Sequence, residues 1–225
     1  MTPIDEMLDA VREGKIDKVK ELLQSDNTLA GACDDRGDTA LLLSLYYRRE
    51  EITTLLLSRN PEMNIFEAAA LGDQQFVQDA IRQQPGLLAS YSHDGFTALH
   101  LAVFFGHEDV AQFLIGRGAD VNAVAANRTF ARNVTPLHSA TASNHTSIVK
   151  LLLTHGANVN VVQDGGYTPL HSAAFNGNEE VVTLLLERGA DWKRMTNDKK
   201  NPIMLAQEKG HERIAVLIRN HGSTH

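Results

Sequence analysis

Apolar residues recur along this chain at i, i+3 and i+4 in short runs: Ile52/Leu55/Leu56, Val110/Phe113/Leu114, Ile148/Leu151/Leu152, Val181/Leu184/Leu185 and Ile214/Leu217/Ile218. That spacing places one stripe along one side of a helix, so each run predicts an amphipathic helix that must bury a face. Ahead of the last three runs a helix opens on Thr135-Pro136, Thr168-Pro169 or Asn201-Pro202. Thr and Asn are good N-caps, and Pro is tolerated at the first helical position because its missing N–H would be unpaired anyway. Gly14, Gly72, Gly106, Asn144, Gly177 and Gly210 close the first helix of each pair, with Arg48 in the same place in the second. Gly or Asn there accepts the left-handed conformation that stops a helix. Gly118, Gly156 and Gly189 end the second helices, and Asp94-Gly95 or Gly165-Gly166 then predicts a tight turn.

The pairs keep a register. Thr135-Pro136-Leu137-His138 recurs as Thr168-Pro169-Leu170-His171, with Thr97-Ala98-Leu99-His100 upstream and Asn201-Pro202-Ile203-Met204 downstream. GADVN at 118–122, GANVN at 156–160 and GADWK at 189–193 run in step with them. Helix, turn, helix, turn at about 33 residues is the ankyrin period, and the chain resembles the ankyrin-repeat family over essentially its full length. The resemblance implies an all-α architecture: an α-solenoid of about seven stacked helix-turn-helix repeats with β-turn fingers. Residues 1–225 read as one domain, with units at about 2–33, 34–63, 64–91, 92–125, 126–163, 164–196 and 197–225. One helix pair cannot bury its own stripe, so the units are expected to share one continuous core.

The departures carry information. The first unit has Lys18 where inner units have Ile or Val, and Thr2-Pro3 with Asp5 predicts a capping box. The last has Met204, Gln207, Glu208 and Lys209 in place of His and small residues. Both read as polar end caps, which leads to the expectation of a complete chain. The short interval from Arg48 to Gly72 leaves no room for a finger before the third unit, so a short link through Asn60-Pro61 and a change of stacking angle are expected. The segment IFEAAALGD in that unit resembles those of bacterial ankyrin proteins. The long interval before Asn144 places about five extra residues within 125–133, and such insertions map to loops on one face of a solenoid.

Composition narrows the class without changing the architecture. The formal net charge is −7 with acids and bases interspersed, which argues against nucleic acid as the partner. No run approaches the length of a membrane span, and the N-terminus lacks the apolar core of a signal peptide. A lone cysteine, Cys33, fits a reducing compartment, so a cytoplasmic monomer is expected. Without a secretion signal, the N-x-T sequons at Asn127, Asn133 and Asn144 read as chance matches.

Ten histidines raise the question of catalysis or metal. Neither His107-Glu108 nor His211-Glu212 has a second His at the spacing of a zinc protease, Cys33 has no partner, and no phosphate-binding or nucleophile-elbow motif occurs. No cofactor, metal or catalytic residue is therefore expected. By the resemblance, His100, His138 and His171 pair with Thr97, Thr135 and Thr168 and tie adjacent units together. His107 and His211 are expected to bridge neighbouring turns.

The resemblance also implies that first helices and finger tips line a concave, partner-binding face. The two residues before each helix-ending position then point there: Arg12/Glu13, Tyr46/Tyr47, Ala70/Leu71, Phe104/Phe105, Ala142/Ser143, Phe175/Asn176 and Glu208/Lys209. Phe96, Tyr167 and Trp192 are added as finger residues and Phe130 as part of the insertion. Nine of the thirteen aromatics (eight Phe, four Tyr and one Trp) thus fall on positions expected to be exposed, which is what a binding hot spot requires. Arg12, Arg128, Arg132, Glu208 and Lys209 would form its polar rim. The resulting reading is a non-catalytic module that binds another protein as adaptor, scaffold or inhibitor. Two rivals stand beside it: an enzyme using a groove between units with His100 or His138 as base, and a structural, self-associating spacer.

Overall fold

The computed structural model describes residues 2–126 and 132–223. Among them are fourteen α-helices in seven antiparallel pairs: α1 (Pro3–Glu13) and α2 (Ile16–Ser25), α3 (Ala40–Tyr46) and α4 (Glu50–Leu57), α5 (Ile65–Leu71) and α6 (Gln74–Gln83), α7 (Ala98–Phe105) and α8 (Glu108–Gly116), α9 (Pro136–Ala142) and α10 (Thr146–Thr154), α11 (Pro169–Asn176) and α12 (Glu179–Glu187), α13 (Pro202–Glu208) and α14 (Glu212–Ser223). Odd-numbered helices stack in one row, and even-numbered helices back them. No helix among the described residues is long and apolar enough to cross a membrane.

Each first helix ends on a left-handed residue. Backbone φ is positive at Gly14, Arg48, Gly72, Gly106, Asn144, Gly177 and Gly210, and Gly carries no Cβ penalty there. The glycine serves a second purpose, because the next unit packs a side chain against it. A Cβ added at Gly14 would fall 2.8 Å from the Arg49 guanidinium carbon, at Gly106 2.7 Å from the His145 ring, and at Gly177 2.6 Å from the His211 ring; the His107 ring lies against Gly72 in the same way. Three of these side chains also reach carbonyls left unpaired at the end of the neighbouring first helix. Arg49 donates to the Arg12 carbonyl at 2.9 Å, and the Nε2 atoms of His107 and His145 lie 2.8 and 3.1 Å from the Ala70 and Phe104 carbonyls.

Fingers form before the second, fourth, sixth and seventh units, and before the fifth the described residues flanking 127–131 pair with each other. Their ends are pinned by backbone bonds from Asp34 to Asp38, Ser92 to Phe96, Ala125 to Val134, Gln163 to Tyr167 and Thr196 to Lys200. None forms between α4 and α5, which are joined by the short link 58–64. Asn60, with φ +50, turns the chain there, and Asn64 caps α5 by accepting from the Phe66 and Glu67 amides.

The expected continuous core is instead divided. One buried cluster holds Met7, Leu8, Val11, Leu41, Ile52 and Leu56 from the first two units. The other runs from Leu42 and Ile65 to Ile218. The division falls where the finger is missing: α4 and α6 barely touch, whereas α2–α4 and every later even-numbered pair pack side by side.

Candidate partner-binding face

Thr97, Thr135 and Thr168 cap α7, α9 and α11, and each forms a capping box with His100, His138 or His171. The Thr Oγ1 to His Nδ1 distances are 2.8, 3.1 and 2.8 Å. The opposite nitrogen reaches toward the next unit: His100 Nε2 lies 3.2 Å from the Val134 carbonyl, and His171 Nε2 lies 3.1 and 3.2 Å from those of Arg194 and Lys200. His138 Nε2 faces the Val161 and Tyr167 carbonyls but closes no bond. All three rings are buried. Burial lowers the His100 and His138 pKa values to about 4, with carbonyls opposing it, and lowers that of His171. A neutral, buried ring engaged on Nδ1 presents no free base to a groove. Among the described residues no group of three or more His, Cys, Asp or Glu side chains could hold a metal.

The third unit breaks this ladder. Glu67 stands where the histidines stand and is 4% exposed, its carboxylate accepting from the Asn64 amide at 2.8 Å. A carboxylate cannot donate to the next finger. There the Phe96 carbonyl accepts from the Ser92 amide within its own finger at 2.8 Å, and the Ser92 hydroxyl donates to the Asp94 carboxylate.

The aromatic residues divide into three groups. Tyr47, Phe104 and Phe175, from α3, α7 and α11 or their caps, are 49%, 42% and 44% exposed. Tyr46 and Phe105 are partly buried and join Phe104 in a knot, with ring centroids 5.6 Å apart for Tyr46–Phe105, 6.2 Å for Tyr46–Phe104 and 5.0 Å for Phe104–Phe105. Tyr46 belongs to the second unit and the phenylalanines to the fourth. They meet because the third unit offers only the small, buried Ala70 between them. The Tyr46 hydroxyl donates to Asp94 at 2.7 Å, and burial, then the Asp94 charge, pushes the phenol far above its usual range. Phe96 and Tyr167 also sit half-buried, their rings 5.8 Å from those of His100 and His171.

Trp192 differs from the expectation of an exposed finger residue. It follows α12, ahead of the Thr196–Lys200 finger, and its indole packs against the backbone of Gly222 in α14. Phe130 and Arg128 lie outside the described residues. Of the expected rim, Arg12 bonds Asp9 and Asp38 at 3.0 and 2.9 Å, and Arg132 reaches Asp164 at 4.0 Å. Glu208 pairs with Lys200 at 2.8 Å, and the Lys209 ammonium sits 4.2 Å above the Phe175 ring.

One feature had no local signal in the sequence. The missing finger leaves a cleft of about 220 Å³ lined by the second unit's finger, α3, the start of α5 and Tyr91–Asp94. Gly37 from one wall packs directly against the His93 ring of the other.

A family profile described as Ankyrin repeats (3 copies) matches residues 7–125 and 124–196. Among curated proteins, the chain is 30% identical over 117 residues to Alpha-latrocrustotoxin-Lt1a of Latrodectus tredecimguttatus, an alignment covering 48% of the chain and 8% of the toxin. It is 32% identical over 125 residues to "Probable 26S proteasome regulatory subunit p28" of Saccharomyces cerevisiae, covering 50% of the chain and 55% of that subunit. The chain therefore matches about half of one relative and under a tenth of the other.

Proposed function

Because the chain belongs to the ankyrin-repeat family, a family of protein–protein interaction modules, we propose that it acts as an adaptor, scaffold or inhibitor whose first-helix face and fingers hold one partner protein. The observation that carries this reading is the exposure of Tyr47, Phe104 and Phe175 on the helix row that the seven units share. Large aromatic rings left in water are costly unless a partner covers them, and such rings dominate interface energetics. Tyr46 and Phe105 pack against Phe104 and hold its ring, which lowers the entropy lost on binding at that residue. The name of the p28 relative, a regulatory subunit, supports a role inside a larger assembly. The single cysteine supports a cytoplasmic setting.

Affinity capture from native extract with the unsubstituted chain and a Tyr47→Ala/Phe104→Ala/Phe175→Ala variant tests this. The partner should be retained by the first and lost by the second, with affinity reduced at least about 100-fold if two of the rings are hot spots. Helical content should be unchanged. Undiminished capture by the folded variant would place the interface elsewhere.

A further inference from the structure

We propose that the first two units form a body hinged against the rest of the stack, and that Tyr46 is the latch holding the hinge shut. The junction is thin in both helix rows. Among neighbouring first helices α3 and α5 pack together least, and α4 makes little contact with α6. Among the described residues, only Leu42, Leu45 and Tyr46 of the first two helix pairs reach the larger core, and beyond residue 60 only Met63 and Leu71 reach the smaller one. The third unit brings no finger to fill the space, so on that side the junction opens into the cleft of about 220 Å³.

Tyr46 spans this gap. Tyr46, Ala70 and Phe104 each stand two residues before the left-handed end of a first helix, in successive units. Because Ala70 is small and buried, the Tyr46 ring passes over the third unit and meets Phe105 and Phe104 of the fourth, at 5.6 and 6.2 Å between centroids. Its hydroxyl donates to Asp94, in the fourth unit's finger, at 2.7 Å, and Gly37 packs against the adjacent His93 ring. The contacts with Asp94 and His93 bridge the cleft. On the opposite side of the α3–α5 line, α4 and α6 leave room to approach each other. Rotation about α3 and α5 would therefore widen the cleft while α4 closes on α6, a hinge movement that breaks few buried contacts once Tyr46 lets go. Tyr47 rides on one body and Phe104 and Phe175 on the other, so the hinge angle sets the spacing of the aromatic face. That consequence rests on the reading that a partner covers the face; the hinge itself does not, and it is measured on the chain alone.

Nitroxide labels at exposed positions of a Cys33→Ser chain read the hinge by pulsed electron spin resonance. Asp35→Cys with Asp198→Cys joins the finger sides of the two bodies, and Glu51→Cys with Lys150→Cys joins their second-helix rows. Glu108→Cys with Glu187→Cys lies within the larger body. With Tyr46→Ala added, the first distance should lengthen and the second shorten, each by more than the width of its distribution in the latched chain. The third should not change. Tyr46→Phe keeps the ring and loses the bond to Asp94, so it should move the first two distances the same way by less; it carries the test should Tyr46→Ala fail to fold. Unchanged first and second distances in the folded variant would overturn the latch. So would distributions in the latched chain as broad as those of the variant, which mean a free junction, or a shift of the third distance, which means general loosening.

Discussion

At His100 and His138, burial drives the folded-state pKa to about 4, against about 6.5 in an unfolded chain. Because the unfolded chain holds the proton more tightly, their stabilising effect is fully present above pH 6.5 and is lost as the pH falls through 4. Each shift corresponds to about 3 kcal/mol over that window. The carboxylates of Asp5 and Asp26, held below 3.8 mainly by hydrogen bonds from Thr2 and Thr28, act only at lower pH. Urea unfolding at pH 7, 5.5 and 4.5 should therefore show stability falling across the whole range. A His100→Gln variant should be weaker at pH 7 by about 1–3 kcal/mol but fall less steeply. Parallel pH dependences would show that these imidazoles are not the acid-sensitive groups. The threonine–histidine pairs were legible because both partners lie within one motif. The break in the ladder at Glu67 was not, since the carbonyl that a histidine would bond lies in the finger of the next unit.

Among the elements, the left-handed end of each first helix is the most sensitive feature. Arg48 occupies it with φ +53 where five units have Gly. Arg48→Gly should raise stability by about 0.5–1 kcal/mol, because the strain of a side chain at positive φ outweighs the added chain entropy. Gly72→Ala should lower stability by more than about 1 kcal/mol, as the new methyl meets both that strain and the His107 ring. Thermal melting of the two variants checks both signs, and a stabilising Gly72→Ala would contradict the close approach. Helix ends, caps and the missing finger were readable because each has a local signature in Gly, Asn or Pro. Trp192 was misplaced because its position next to GAD reads as turn, while its partner Gly222 is 30 residues away in sequence. The exposure of Tyr46 and Phe105 was overestimated for a related reason: the space that lets them touch depends on Ala70, in a unit between them.

For the whole molecule, the division of the core predicts two levels of stability. In a stacked array each unit is held mainly by its neighbours, so a thin interface becomes the place where opening stops. Amides of α1–α4 should exchange hydrogen through an opening of lower free energy than those of α7–α12, and the boundary should lie at the 58–64 link. Uniform protection from α1 to α12 would mean that the junction is as strong as the others. Applied to the complex with the partner captured through the unsubstituted chain, the same exchange measurement tests the central claim most directly. Added protection should concentrate on α3, α7, α11 and the fingers before α3 and α7, leaving α8, α10 and α12 unchanged. Protection concentrated on those even-numbered helices instead would contradict a partner held on the aromatic face.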